Sequence, residues 1–154
     1  MPVTKHQLWS RFPMGTCLKT FCVYDKPYWS DAGFNGLLLA DDPEKYPVLG
    51  TLDYSFPNPQ DPSRSLYCLI GFVSGLHSSN WRDMSEEDRK KAIAEQYADF
   101  WKIPELKNPI AYYERDWCKE RYSGGCYTGV MGIGTLTLYG QTLRDPVGNI
   151  YFAG

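Results

Sequence analysis

One stretch alone carries a helical signature from end to end, Ser85–Trp101, and what surrounds it must supply the surface it covers. Ser85 with Asp88 three residues later resembles a capping box, Asp standing in for the usual Glu or Gln. Glu86 and Glu87 complement the positive end of the helix dipole. Ala92, Ile93, Tyr97, Phe100 and Trp101 recur at helical spacing and predict a face laid on a sheet, and Pro104 ends the run. The charged run Glu86–Lys91 reads as its solvated side.

The rest of the chain is rich in short strand-like runs between turn signals. Thr16–Tyr24 is β-branched and aromatic, and Lys26-Pro27 stops it. Leu37–Ala40, between Gly33–Gly36 and Asp41-Asp42-Pro43, suits a strand buried on both faces. Val48–Tyr54 follows, interrupted at Gly50, where a bulge or a close approach to the backbone is expected. Phe56–Ser65, with three prolines, reads as a surface loop. Leu66–Val73 and Ile110–Trp117 are further strands. Leu136–Arg144 reads as a short helix weakened by Gly140, Ile150–Phe152 as a short closing strand, and Met1–Phe12 carries no signal. Short connections predict an α+β fold, a mostly antiparallel sheet with one long helix packed on a face.

The 154 residues suffice for one domain with a sizeable core. A net charge of −2 without a basic stripe gives nucleic-acid binding no electrostatic support. No apolar run reaches the length of a membrane span, and Met1–Ser10 is neither a signal h-region nor an Arg-rich transit peptide. Cys17, Cys22, Cys68, Cys118 and Cys126 form an odd set without CxxC spacing, which argues against a disulfide framework or zinc site and for a reducing compartment. His6 and His77 lie far apart with no acid or cysteine at ligand spacing, so no metal is expected. There is no G-x-S-x-G elbow or phosphate loop, and Gly129–Gly134 does not fit the dinucleotide fingerprint. The aromatic content of 16% fits either an ordinary core or an aromatic-lined cavity.

Tyr122–Thr128 stands apart. Gly124 and Gly125 release the backbone beside Cys126 and Tyr127, with Trp117 upstream. A thiol there, unobstructed by neighbouring side chains and next to an aromatic face, suits a bulky electrophile. The residues alone leave open, and slightly favour, a turn cysteine of no chemical consequence.

The run Glu114–Thr128, with Ser-Gly-Gly-Cys-Tyr at its centre, resembles the flavin monoamine oxidases of animal mitochondria. The likeness continues through Gly134–Gly140, Leu143–Val147 and Ile150–Gly154. Upstream, Arg11–Gly15, Lys26–Trp29 and Ile70–Phe72 fit the same family in the same order. The resemblance implies that Cys126 carries FAD through a thioether to the flavin 8α carbon. Tyr127 would form one wall of an aromatic cage that orients the amine, the role expected of a catalytic residue. Trp117, Gly125 and Gly154 would lie against the flavin, and Leu37, Leu39, Gly50, Leu52 and Phe72 would line the substrate cavity.

In two places the chain departs from the family. Gly50 stands at a gate position that is usually bulky, implying a more open cavity, and Gly132-Ile133 replaces two prolines. The family's strand–GxGxxG–helix unit, its lysine near flavin N5, its second cage tyrosine and its membrane-anchoring tail have no counterpart in the chain. The resemblance therefore implies an internal portion of the enzyme, with residues 1–115 in the substrate-binding domain and 116–154 contacting flavin, inactive in isolation. The complete protein would oxidise amines with oxygen to aldehydes and hydrogen peroxide, at the mitochondrial outer membrane and as a homodimer. A polyamine or L-amino-acid oxidase of the same superfamily and a non-catalytic module that has lost its flavin are the alternatives.

Overall fold

The computed structural model describes residues 1–75 and 77–153. Its centre is a four-stranded antiparallel sheet of β1 (Cys17–Tyr24), β2 (Gly50–Asp53), β3 (Tyr67–Ser74) and β4 (Ala111–Asp116), in the order β2-β3-β1-β4. Among the described residues five α-helices accompany it: α1 (Val3–Trp9), α2 (Tyr28–Asp31), α3 (His77–Arg82), α4 (Glu86–Trp101) and α5 (Thr135–Tyr139).

Side chains opposite one another in the ladder share a face, and alternate residues switch faces. The register pairs Leu18 with Val73, Thr20 with Gly71 and Cys22 with Leu69, and this face carries α4. Leu18, Cys22, Leu69 and Val73 join Ile93, Tyr97, Ala98 and Trp101 in one core cluster. Burial of each large helix side chain there contributes about 2 kcal/mol. Gly71 is the point of closest approach, since a Cβ on it would lie 2.3 Å from the Tyr97 hydroxyl. The helix is also tied to the chain before β2, because Gln96 accepts from the Val48 N–H at 2.9 Å and donates to its carbonyl at 2.8 Å.

Both ends of α4 follow from local chemistry. The Ser85 Oγ accepts from the Asp88 N–H at 3.1 Å and donates to the Asp88 carboxylate at 2.7 Å. At the other end Lys102 adopts a left-handed conformation (φ 58°), so Ile103 N–H reaches back to the Ala98 carbonyl before Pro104. The apolar face is shifted from the expected one: Phe100 is exposed, and Ala94, Gln96 and Ala98 are buried in its place. Arg89, expected in solvent, turns inward and pairs with Glu114 of β4, its Nε donating at 2.9 Å.

Three other segments differ from expectation. Leu37–Ala40 is not a strand buried on both faces. Leu38 is buried, Leu37 and Leu39 are exposed, and only an isolated bridge joins Leu39 to Gly50. The closing strand at Ile150–Phe152 is reduced to a bridge between Val147 and Ile150, since no sheet edge within the described residues is offered to it. Met1–Phe12 contains α1, whose Lys5 reaches across to donate to the carbonyls of Leu143 and Asp145 at 3.0 and 2.7 Å. The Leu136–Arg144 helix is shorter than expected, α5 followed by a 3-10 turn at Gly140–Thr142.

Candidate active site

The sheet face opposite α4 carries most of the sequence-predicted substrate positions. Leu39 bridges Gly50, Gly50 is opposite Phe72 in β3, and Phe72 is opposite Lys19 in β1. The next row on the same face holds Leu52, Ile70 and Phe21. The Gly50 position is approached by Leu39, whose Cδ2 lies 3.5 Å from where a Cβ would stand. Leu37 is two residues from Leu39 and exposed like it.

The glycine turn meets this row at its end. The Phe72 and Tyr127 rings lie 5.8 Å apart at 50°, and the Lys19 ammonium sits 5.3 Å from the Phe72 ring centre. Leu39, Gly50, Phe72 and Tyr127 thus form one continuous surface.

What holds the turn in place is the segment Arg11–Gly15. Gly15 donates its N–H to the Thr128 carbonyl and accepts from the Cys126 N–H, both at 2.9 Å, and Val130 donates to the Pro13 carbonyl at 2.8 Å. Gly125 is buried against this segment: a Cβ on it would stand 2.4 Å from the Gly15 oxygen and 2.6 Å from the Met14 Cβ. Gly124 has a positive φ of 63° with open space beside it. The Cys126–Tyr127 peptide is cis.

Cys126 is half-buried. Loss of hydration and the neighbouring Cys17 thiol push its pKa above the ordinary range, with the Lys19 charge acting the other way. Tyr127 is 62% exposed, and Ser74 and Cys17 neighbour its hydroxyl. Desolvation at that end pushes the phenol up to about 12 despite the opposing Ser74 hydrogen bond.

Trp117 lies in the 3-10 turn that follows β4. Asp116 fixes that turn, accepting from the Cys118 N–H at 3.0 Å and from Arg82 Nε at 2.8 Å. The indole Nε1 of Trp117 is buried without a hydrogen-bond partner, and among the described residues the ring makes no pairing with Tyr127. Gly154 lies outside the described residues. Among those residues no group of His, Cys, Asp and Glu is arranged to hold a metal ion.

Sequence reasoning assigned no role to Lys19, Ser74, Cys17 or the Met14-Gly15 pair, all of which surround Cys126 and Tyr127. It also missed a cleft of about 300 Å³ beside the turn, lined by Phe12, Thr128, Leu143, Arg144, Phe152 and Ala153. The runs Arg11–Gly15 and Leu143–Val147, present in the family likeness with no function attached, were the signals for the Met14-Gly15 pair and for part of the cleft.

The model of the family described as flavin containing amine oxidoreductase matches residues 1–154. The chain belongs to this family. Flavin-containing amine oxidase B of Cavia porcellus and amine oxidase A of Equus caballus are each 38% identical to this chain over all of its length. The chain spans 28% of the length of those relatives. Among solved structures, cyclohexylamine oxidase from Brevibacterium oxydans superposes on the whole chain with a TM-score of 0.84 and 32% identity, using 32% of its own length. A putrescine oxidase bound to putrescine matches 99% of the chain and 32% of its own, also at 0.84, with 29% identity. No helix among the described residues of this family member is long and apolar enough to cross a membrane.

Proposed function

We propose that this chain forms the amine-binding sheet and flavin-linking turn of an FAD-dependent amine oxidase, with Cys126 as the covalent attachment point. The observation that carries the reading is the convergence of Cys126 and Tyr127 with Phe72, Gly50 and Leu39 on the sheet face opposite α4. Residues 1–115 would build the substrate side and 116–154 the flavin side.

The residues present fit a flavin. Gly124 leaves open space next to the half-buried thiol, Tyr127 offers an exposed aromatic face, and the Trp117 indole N–H has no acceptor of its own. A buried donor without a partner costs about 1–3 kcal/mol, which a polar group of a ligand would offset. When bound, FAD would supply the oxidation of the amine to an imine, which hydrolyses to an aldehyde, and the reduction of oxygen to hydrogen peroxide. Cys126 Sγ would anchor the ring system. Trp117, Gly125 and Gly154 would lie against it.

Tyr127 and Phe72 would orient the amine between them, while Leu37, Leu39 and Leu52 exclude water around its apolar body. Gly50 leaves the middle of that wall low, which favours a broad amine. Lys19 sets the protonation state of the substrate: a cationic amine next to Phe72 meets a like charge, so the neutral form is the one that binds. Attachment to the mitochondrial outer membrane and a homodimeric state belong to the same reading by family likeness.

The test is a chimera in which these 154 residues replace the matched segment of the Cavia porcellus amine oxidase B. After acid precipitation the yellow colour is expected to stay with the protein, and Cys126→Ala is expected to release it. Colour in the supernatant of the unmutated chimera, or retained by Cys126→Ala, removes the assignment.

A further inference from the structure

Among the described residues the chain after β4 adds no strand to the sheet, so contacts from elsewhere must place it. The segment before β1 supplies them around the cleft beside the glycine turn. Gly15 holds the carbonyl of Thr128 and the N–H of Cys126. Lys5 of α1 holds a second part of the cleft lining. It is 1% exposed and turns all three ammonium donors to main-chain carbonyls, those of Thr142, Leu143 (3.0 Å) and Asp145 (2.7 Å). Carbonyls at the end of a helical turn lack partners within it, and the 3-10 turn ends here at Thr142. The same ammonium lies 4.1 Å from the ring centre of Phe152, which also meets the Trp9 ring edge-on at 5.3 Å. Leu143 and Phe152 both line the cleft with Thr128. Lys5 therefore grips that lining twice, through the main chain at Leu143 and through the ring of Phe152.

We propose that Lys5 is a positioning residue for the flavin side of the site: its ammonium, tethered from α1, gathers the carbonyls of Thr142, Leu143 and Asp145 into one turn and fixes the Leu143 and Phe152 part of the cleft. That this lining serves flavin rests on the flavin-linking reading of Cys126; the clamp itself does not. A cation with three hydrogens to give is what the arrangement requires. The three carbonyl dipoles turn their negative ends to one place and repel one another when it is empty, and a hydroxyl has a single hydrogen to offer. The planar fork of an arginine spreads its donors instead of converging them on one nitrogen. Without the ammonium the turn at 142–145 relaxes, and Leu143 and Phe152 lose their common anchor. The core cluster between the sheet and α4 contains none of these residues, so the effect stays local.

The experiment follows amide hydrogen exchange by NMR in the full chain and in Lys5→Ala. The amides of Leu143, Asp145, Val147 and Ile150 donate to carbonyls of their own segment and report on the lining. In Lys5→Ala they are expected to exchange about tenfold faster, with β1 and β3 unchanged within about twofold. n-Propylammonium, which carries the atoms that the substitution removes, is expected to restore the slow rates, whereas propan-1-ol at the same concentration and ionic strength is not. Unchanged exchange at the four amides overturns the proposal, as does acceleration spread over β1 and β3, which marks Lys5 as a residue of the global fold. Rescue by neither compound, or by both equally, overturns the assignment to the ammonium. Should Lys5→Ala fail to fold, Lys5→Met carries the exchange comparison, and a sheet that forms in neither overturns the proposal. A second arm measures acid-stable flavin in the chimera, where Lys5→Met is expected to lower it about fivefold through misplacement of the cleft lining. No flavin retained by the unmutated chimera overturns the flavin reading alone, since the exchange comparison still decides the clamp. Full retention in Lys5→Met overturns the link from the clamp to flavin.

Discussion

The carbonyl oxygen of Gly15 stands 2.4 Å from the point where a side chain on Gly125 would begin. The turn therefore sits where it does because one of its two glycines is pressed flat on the Arg11–Gly15 segment, while the other, Gly124, faces open space. Gly125→Ala forces these backbones apart and costs roughly 1–3 kcal/mol. In the chimera it is expected to lower acid-stable flavin well below that of Gly124→Asn, which a left-handed turn position tolerates. Equal retention in both variants would refute the distinction.

A second close approach tests the scaffold rather than the site. Gly71→Ala drives a methyl group into the Tyr97 hydroxyl and the Thr20 Oγ1, 2.3 and 2.7 Å from the new carbon. The expected loss is roughly 1–3 kcal/mol in urea unfolding. Ser85→Ala, which removes only the α4 cap, is expected to lose about 1 kcal/mol.

Acidification gives a third test. Burial pushes the Asp116 carboxyl up, but the hydrogen bond and charge of Arg82 and the Cys118 N–H outweigh it and leave the pKa below the ordinary value. A carboxyl whose folded pKa is lowered stabilises the fold above its unfolded pKa, and the contribution is lost as pH falls through the folded one. Asp116→Asn is therefore expected to be less stable than the unmutated chain at neutral pH, with the gap closing below about pH 4. A gap that persists unchanged at low pH would exclude the carboxylate as its source.

Lys19 offers a kinetic test. In the chimera Lys19→Met removes a cation next to the amine path, and KM for a primary amine at neutral pH is expected to fall by about fivefold, about 1 kcal/mol. The difference shrinks at high pH, where the amine is already neutral. An unchanged KM at neutral pH would show that the ammonium does not sense the substrate.

Much of this architecture was legible because local signals and tertiary demands coincide. Leu18, Thr20 and Cys22 alternate with Lys19, Phe21 and Val23, and Ser85 caps α4 where its sequence announces it. The failures share a cause, since each depends on a partner far along the chain. α1 gives no local sign of itself because what secures it is Lys5 holding carbonyls 138 and 140 residues away. Arg89 leaves the solvated run because Glu114 of β4 receives it. Leu37–Ala40 has the composition of a buried strand, yet only Leu38 finds the core. At the site, the family motif named Cys126 and Tyr127, but spacing in sequence could not place Cys17 beside them, because that neighbour comes from the opposite end of the chain.

The two faces of the sheet are divided at single-residue resolution. Along β1 and β3, even-numbered Thr20 and Cys22 and their partners Gly71 and Leu69 meet the helix, while Lys19, Phe21, Ile70 and Phe72 do not. Mutations read by protein abundance and mutations read by ligand choice will therefore interleave with a period of two. Lineages of this sheet can change what they accept on one phase while the other stays fixed, provided no insertion ever shifts the register by one.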